Sequence, residues 1–156
     1  MAITVENPNL VRQKVKIALM NARPDIQEQF KDFFQYHATQ GGNADLEFVP
    51  FSEAQADDAD GTGIVDAACK VVAVYAKKNS SATDAYLKFY DSATVDTTAS
   101  QQILAFPLLI ASEQIGYFQP GGISMANGVT VTQHTDSTGS TDASEGGDGF
   151  ILIKAA

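Results

Sequence analysis

Short apolar segments separated by turn residues fill the second half of this 156-residue chain. Residues 70–76 and 129–134 are rich in β-branched side chains, which favour strands, and residues 103–111 form a longer apolar run. The pair Asn127-Gly128 is a strong two-residue turn signal. Short strands of this kind, without helical crossovers between them, predict a mainly β fold. More narrowly, they predict an antiparallel β-sandwich of jelly-roll-like type.

A β-hairpin is predicted early in this region. Residues 70–76 and 85–90 both have the composition of strands, and residues 79–84 between them are polar turn formers. Along residues 85–90, tyrosine and lysine alternate with leucine and phenylalanine, which predicts a strand with only one face covered. The other predicted strands are 46–49, 103–111, 113–118, 123–125, 129–134 and 150–153.

The first part of the chain has helical character, so the sandwich is expected to carry a partly helical N-terminal segment. A helix is predicted to begin at Pro24 and to end before Gly41-Gly42. Its apolar side chains recur at the helical period and form one stripe, which consists of Ile26, Phe30, Phe33, Phe34 and His37.

Residues 10–20, upstream of that helix, fit two patterns. Val11, Val15 and Ala18 would share one face of a helix, whereas the odd-numbered residues of 15–19 alternate as in a strand. A helix is the favoured interpretation.

The phenylalanine stripe needs a surface that buries it, because the segment is too short to form its own core. Burying one such side chain contributes about 1.5–3 kcal/mol, so a stripe left in water would be a serious liability. Three surfaces are open: the β-body of the same chain, a neighbouring subunit, or a larger partner.

Three regions follow from these patterns. Residues 1–42 are a partly helical candidate anchor segment, residues 43–63 are a strand plus an acidic linker loop, and residues 64–156 are the β-sandwich domain. The strand at 46–49 is expected to end at Pro50, because proline interrupts strand pairing. The β-sandwich domain is expected to fold without the first region.

Two polar stretches are expected to be surface loops. Residues 135–149 contain almost only small, polar and acidic side chains, so they have little apolar area to bury. In the acidic loop before the domain, Asp58 and Asp60 precede Gly61 as at the start of a calcium loop. The third acidic position and the closing glutamate of such a loop are missing, so a solvated linker is the interpretation.

Charge is distributed unevenly along the chain, which has a formal net charge of -9. Residues 1–31 hold five basic and three acidic groups, whereas the remaining residues hold five basic and sixteen acidic groups. An acidic body repels phosphate backbones, which argues against nucleic-acid binding. The weakly basic N-terminal segment suits either an acidic protein surface or a solvated helix face, and both stay open.

No targeting or membrane-spanning segment is predicted. The start of the chain lacks a basic stretch followed by an apolar one, and no apolar run approaches the roughly 18 residues that cross a bilayer. Synthesis and folding in a cytoplasm, without a membrane partner, are therefore expected.

Residues that carry catalytic chemistry do not form a recognisable set. The single cysteine, Cys69, lies among valines and alanines and is interpreted as a small buried hydrophobe. His37 and His134 lie on different predicted elements without companions that would complete a zinc site. No phosphate-binding or nucleophile motif is present, so we predict no enzyme activity and no cofactor.

Residues 68–155 resemble a β-domain found in minor structural proteins of tailed bacteriophage particles. The most distinctive piece is the strand with the sequence Tyr-Leu-Lys-Phe-Tyr at 86–90. The likeness also rests on Asn-Ser-Ser-Ala at 79–82, an apolar strand at 104–111 with Pro107 inside it, Pro-Gly-Gly-Ile-Ser at 120–124, Asn127-Gly128 and a closing strand. Residues 1–60 have no counterpart in this pattern.

The resemblance implies a non-catalytic role in assembly on a virion surface. The first hypothesis is a capsid decoration or cement protein on the outer shell, which binds the major capsid protein as a small homo-oligomer such as a trimer. The second hypothesis is a tail or fibre attachment module that uses loops 92–100 and 135–149, and the third is a cytoplasmic scaffold unrelated to a virus. The candidate anchor residues for a partner are Arg12, Lys14, Lys16, Ile26, Phe30, Phe33 and Phe34.

Overall fold

Two helices precede nine strands in the computed structural model, which describes residues 7–39, 46–52, 62–78, 85–93, 102–108, 113–118, 122–134 and 147–156. The helices are α1 (Pro8–Ala18) and α2 (Pro24–Thr39). The strands are β1 (Leu46–Phe51), β2 (Thr62–Val65), β3 (Cys69–Lys78), β4 (Ala85–Tyr90), β5 (Gln102–Leu108), β6 (Glu113–Tyr117), β7 (Ile123–Met125), β8 (Val129–His134) and β9 (Gly147–Ala155).

The strands form two antiparallel sheets in jelly-roll order. In the first sheet the order is β1-β9-β3-β6, with β7 also pairing with β3, and in the second sheet it is β2-β8-β4-β5. Most consecutive strands therefore lie in different sheets, and β9 is inserted between β1 and β3. Apart from the addition of β7, this is an eight-stranded jelly roll, which confirms the predicted fold class.

The predicted hairpin between β3 and β4 is wrong, because the two strands lie in different sheets. β9 pairs with β3 along its whole length from Cys69 to Lys78, while β6 and β7 share its other edge. β4 pairs instead with β5 and β8. Turn residues between two strands allow a crossing between sheets as well as a hairpin, so the local signal did not separate the two.

Three layers stack in the molecule: the helices, the first sheet and the second sheet. Side chains from both sheets form the core between them, and Val71, Val74, Phe89 and Val131 belong to this cluster. The opposite face of the first sheet packs against the helices, and Tyr75 and Phe150 belong to that second cluster. β3 and β9 contribute to both clusters, which explains their nearly continuous burial.

Both predicted helices are confirmed. α1 begins with Pro8 in its first turn after Asn7, whose side chain accepts a hydrogen bond from the backbone N–H of Asn9 at 2.9 Å. Its buried side chains include Val11 and Val15, and Leu19, directly after its last residue, continues the spacing of four positions. The predicted third member, Ala18, is exposed. α2 begins at Pro24 as predicted, and its predicted stop at 41–42 lies outside the described residues.

The sandwich begins earlier in the chain than predicted. β1 runs through Pro50 to Phe51, where it pairs with β9 as an edge strand. An edge strand tolerates proline because one of its sides needs no ladder hydrogen bonds. β2 pairs with β8 in the second sheet. The predicted start of the sandwich domain at residue 64 is therefore wrong. β1 lies before this residue and β2 spans it, and both strands belong to the sandwich.

The expectation of one covered face on β4 is also wrong. Lys88 and Tyr90, which alternate with the core residues Leu87 and Phe89, are only 0% and 1% exposed. Lysine and tyrosine have apolar stems or rings that can be buried, so a pattern of hydrophobic and polar residue types did not report the exposure here.

Several loop predictions fall outside the described residues. These include the acidic stretch at 58–61 and loop residues 94–100 and 135–146. Residues 147–149, predicted as the end of the polar loop, belong instead to β9.

Candidate partner-binding surface

Aromatic side chains attach the helices to the first sheet. The ring of Phe30 on α2 lies 5.3 Å from the ring of Tyr117, 5.4 Å from that of Phe150 and 6.5 Å from that of Tyr75, measured between centroids. Phe33 stacks on Tyr117 at 5.3 Å. Aromatic pairs in this distance range stabilise a structure by more than the burial of their apolar surface alone. Of the three surfaces left open by the sequence, the β-body of the same chain is the one that buries Ile26 and the three phenylalanines of the stripe.

The four apolar candidate anchor residues are therefore in the interior. Ile26, Phe30, Phe33 and Phe34 have exposures of 0%, 2%, 6% and 7%. They belong to the cluster between the helices and the first sheet, so the chain itself covers most of their surface. Among the basic candidates, Arg12 and Lys16 are exposed and Lys14 is partly buried.

A buried carboxylate adds a polar attachment. The Glu113 side chain, at the start of β6, is 5% exposed. Its Oε1 accepts a hydrogen bond from the Tyr75 hydroxyl at 2.6 Å, and its Oε2 accepts one from the backbone N–H of Arg23 at 3.2 Å. The Arg23 guanidinium Nε lies 3.4 Å from the same Oε2 and 3.4 Å from Asp25 Oδ1. These contacts tie the turn between the helices to the first sheet.

The two tyrosines that face the helices have raised pKa values. Burial is the main cause at Tyr75, and the Glu113 carboxylate raises the pKa further through its negative charge and by accepting a hydrogen bond from the neutral phenol, against a smaller opposing effect of Arg23. Burial also raises the pKa of Tyr117, with a contribution from Asp32. The Tyr117 hydroxyl has no hydrogen-bond partner among the described residues. The two phenols thus share a location and differ in their polar contacts.

A groove lies between α1 and α2 on the outer side of the helices, with a volume of about 650 Å³. We call it the interhelical groove. Its floor consists of the buried side chains of Val15, Leu19, Phe30 and Phe34. Its rim consists of Arg12, Lys16, Met20, Gln27, Glu28, Lys31 and Gln35. The volume lies in the range of roughly 300–1,000 Å³ that is typical of ligand pockets, so it can take a few side chains of a partner.

The rim of the interhelical groove is positively charged. Arg12, Lys16 and Lys31 outnumber the single acid Glu28. The Lys31 Nζ is 3.9 Å from Glu28 Oε1, but both side chains are about two-thirds exposed, so this ion pair is weak. The Arg12 guanidinium lies 5.6 Å from the centroid of the Phe34 ring, close enough for a cation–π contact that orients it at the groove.

Three large apolar side chains are exposed on α1 and in the turn that follows it. Met20 on the rim is 69% exposed, and Ile17 and Leu10 on α1 are 67% and 45% exposed. Leu10 and Ile17 are seven positions apart, so they lie on the same face of α1. Met20 is the one of the three that lies beside the basic residues of the rim, whereas Leu10 and Ile17 do not line the groove.

The structure brings together four of the seven candidate anchor residues at the interhelical groove: Arg12 and Lys16 on the rim, and Phe30 and Phe34 in the floor. Lys14, Ile26 and Phe33 do not line it. Sequence analysis missed Met20 on the rim and Glu113 beneath the turn between the helices. Met20 was within the ambiguous segment, and no periodicity connects Glu113 with a helix some ninety residues earlier.

The second sheet holds buried polar side chains that the sequence did not predict. Thr130, Thr132, Gln133 and His134 on β8 are each 0% exposed, as is Lys88 on β4. The register places Lys88 opposite Thr132. The Thr130 hydroxyl donates a hydrogen bond to the backbone oxygen of Ser92 at 3.0 Å, which ties β8 to the segment after β4.

Two features were not found among the described residues, a cluster of metal-ligand side chains and a helix that could span a bilayer. Three or more histidine, cysteine, aspartate or glutamate side chains do not come together there as a metal site. Within the same residues, no helix has both the length and the apolar character to cross a bilayer. Cys69 is buried as predicted, and burial, followed by Asp91 and Glu47, raises the pKa of its thiol to about 11.

Comparison with protein-family models, with curated proteins and with solved structures finds no match to this chain.

Proposed function

We propose that this chain is a virion structural protein, a capsid decoration or cement protein that binds the outer capsid shell and stabilises it. The helices form the side that contacts the shell, through α1 and the rim of the interhelical groove. The major capsid protein is the partner, and the location is the outer capsid surface.

The observation that carries the proposal is a basic and apolar surface on an acidic molecule. Arg12, Lys16 and Lys31 line the groove together with the exposed Met20, and Ile17 is exposed elsewhere on α1. The chain as a whole has a formal net charge of -9. A contact that combines opposite charges with apolar side chains orients the protein with its helices towards the shell. The acidic remainder of the protein repels other acidic surfaces.

The fold and the sequence resemblance add support. Jelly rolls are common in viral capsid proteins, and the strand sequence at 86–90 resembles that of phage structural proteins. Jelly rolls also occur in lectins and cupins, so the fold alone does not specify the function. The surface on the helices is what distinguishes this chain from a jelly roll without a protein partner.

Self-association would increase the effect of each modest contact. A small homo-oligomer, such as a trimer, presents several identical surfaces to neighbouring coat subunits. Linked contacts of this kind raise avidity by roughly 10²–10⁴ over a single contact. Decoration of a repetitive shell therefore does not require a tight individual interface.

Cosedimentation of the purified chain with particles of the phage that encodes it tests the proposal. The Arg12→Glu/Lys16→Glu variant should lose most of the binding, because two attractive contacts become repulsive. The matched control is Lys70→Glu/Lys154→Glu, which makes the same charge change at residues that do not line the groove. Equal loss in both variants, or no binding by the unmodified chain, would refute shell binding through the helices.

Copy number distinguishes the shell from the alternative location. Hundreds of copies per particle, measured by quantitative mass spectrometry, are expected for shell decoration. A handful of copies, in multiples of three or six, would indicate a tail or fibre attachment module instead. Absence from purified particles would indicate a scaffold unrelated to the virion.

A further inference from the structure

We infer that the interhelical groove binds an acidic segment of another protein that inserts one or more large apolar side chains between α1 and α2. This inference rests on the proposed function, in which the helices form the contact side. It deepens that function by naming the chemistry of the partner segment and the place where it docks.

The apolar part of the inference comes from the floor of the groove. Val15 and Leu19 of α1 and its C-terminal turn face Phe30 and Phe34 of α2 across a volume of about 650 Å³. These side chains are held from behind by the packing of the helices on the first sheet. A floor that is already in place costs a partner less to bind than one that must be ordered on binding.

The acidic character of the partner comes from the rim. Arg12 and Lys16 lie on the α1 side and Lys31 on the α2 side, so a segment in the groove would have cations on both flanks. Glu28 is the single acid among the lining residues, and it already lies 3.9 Å from Lys31. An amphipathic segment with acids beside its apolar residues is complementary to this arrangement, whereas a basic one would be repelled.

A second copy of this chain is a poorer occupant. Outside the helices and the residues that join them, Ile103 is the single large apolar side chain exposed in the described part of the chain. Its strand, β5, has the sequence Gln-Ile-Leu-Ala-Phe-Pro-Leu and carries no acid. Outside the helices and the residues that join them, the described surface thus offers no segment that combines an exposed large apolar side chain with acidic neighbours, which favours a different protein.

Site-specific labelling makes the groove observable. Gln35 is exposed and lines the rim, so Gln35→Cys introduces a thiol at the groove for an environment-sensitive fluorophore. The native Cys69 is buried, and its thiol has a pKa of about 11, so it stays unreactive at neutral pH. Ser124→Cys, at an exposed position of β7 that does not line the groove, provides the control label.

Two synthetic amphipathic peptides with identical leucine positions are then titrated into the full-length chain. One peptide has glutamate at its polar positions and the other has lysine. We expect the glutamate peptide alone to change the fluorescence at position 35, without a change at position 124. Lys16→Glu/Lys31→Glu should weaken this binding roughly tenfold, because reversing two exposed charges costs about 1.4 kcal/mol. Lys70→Glu/Lys154→Glu should leave the affinity within about twofold.

Four results would overturn the inference: no binding of either peptide, equal binding of both, a signal that rises with protein concentration in the absence of peptide, or an equal response to vesicles of phosphatidylserine. The last two would indicate a second copy or an anionic membrane. The cosedimentation experiment separates the two proposals. Shell binding that depends on Arg12 and Lys16, with no peptide binding, would leave decoration intact and refute the groove as the docking site.

Discussion

The hydroxyl groups of Tyr75 and Tyr117 are expected to contribute differently to stability, because their hydrogen bonding differs. Both rings pack against Phe30 in the same aromatic cluster. The Tyr75 hydroxyl donates to the Glu113 carboxylate, whereas the Tyr117 hydroxyl is buried without a hydrogen-bond partner among the described residues. Removing the donor from a buried carboxylate lowers the stability of the folded state, because the carboxylate stays buried without that hydrogen bond. Removing a hydroxyl that makes no hydrogen bond has no such cost.

A matched pair of tyrosine-to-phenylalanine substitutions tests this difference. Tyr75→Phe is expected to lower the free energy of unfolding by about 1.5–3 kcal/mol, because Glu113 keeps its burial and loses a charge-assisted hydrogen bond. Tyr117→Phe is expected to be neutral or slightly stabilising. Urea denaturation of both variants measures the difference, and equal effects would contradict the assigned contacts.

Cys69 gives an expected dependence of stability on pH. Burial raises the pKa of its thiol from 9.0 to about 11, so the folded state holds the proton over a range where the unfolded state releases it. Its contribution is complete below about pH 9 and is lost as the pH rises towards about 11. Two pKa units correspond to roughly 2–3 kcal/mol.

Cys69→Ala removes the titrating thiol and should therefore reduce the loss of stability between pH 9 and pH 11. Urea denaturation at several pH values measures the free energy of unfolding of both proteins. The raised pKa values of Tyr75 and Tyr117 act in the same direction and persist in the variant. An identical pH dependence in the two proteins would show that the thiol does not contribute.

At the scale of elements, β9 is the strand on which the first sheet depends. It pairs with β1 on one side and with β3 on the other. Gly149 lies opposite Phe51 in β1 and opposite Ala76 in β3. A Cβ atom at this position would collide with the Tyr75 backbone oxygen, which belongs to β3 and cannot move aside as a flexible side chain does.

Gly149→Ala is therefore expected to destabilise the protein by about 1–3 kcal/mol, the usual range for overpacking. Thermal unfolding followed by circular dichroism measures the effect. Ser124→Ala, at an exposed position of β7, is the control and should change stability by less than about 0.5 kcal/mol. A Gly149→Ala protein as stable as the control would contradict the close approach of β9 and β3.

Elements were predictable from the sequence where their pattern is local. The proline at the start of α2 and the period of its phenylalanines predicted that helix, and β-branched runs predicted β3 and β8. Pairing was less predictable, because turn residues at 79–84 suit either a hairpin or a crossing between sheets. Pro50 predicts a strand end from the sequence alone, whereas β1 continues through it, because an edge strand tolerates proline and only the assembled sheet defines the edge.

The sequence predicted which kinds of residue form the candidate site, but not how they are arranged in space. The positive charge of residues 1–31 and the apolar stripe both pointed to the helices. The sequence did not reveal that Phe30 and Phe34 would form a floor while Arg12 and Lys16 formed a rim, because this requires the relative position of two helices. Burial of Lys88 was unpredictable for a similar reason, since residue type alone does not report what a side chain contacts.

At the scale of the whole molecule, the helices are part of the core rather than an appendage. Val72, Tyr75, Phe150 and Leu152 of the first sheet are buried in the cluster that includes both helices. The sequence alone predicts a β-domain that folds without residues 1–42. The structure leads to a different expectation, because removing the helices exposes this face to water.

Deleting residues 1–42 is expected to prevent stable folding of the sandwich. Each large apolar side chain returned to water costs about 1.5–3 kcal/mol, and several together exceed much of the 5–15 kcal/mol that holds an ordinary domain folded. The truncated chain should aggregate or bind a hydrophobic dye and should lack a cooperative thermal transition. A soluble truncated protein that unfolds cooperatively near the full-length midpoint would show that the helices are dispensable.

The position of β9 between β1 and β3 has a kinetic consequence. Leu46 pairs with Lys154, so the centre of the first sheet stays open until a segment near residue 150 has been synthesised. Strand pairings between residues far apart in the sequence form slowly, because the chain loses entropy in closing a long loop before the new contacts stabilise it. During translation, the nascent chain would hold an unfilled gap between two strand edges, and timely insertion of β9 would limit aggregation at the ribosome.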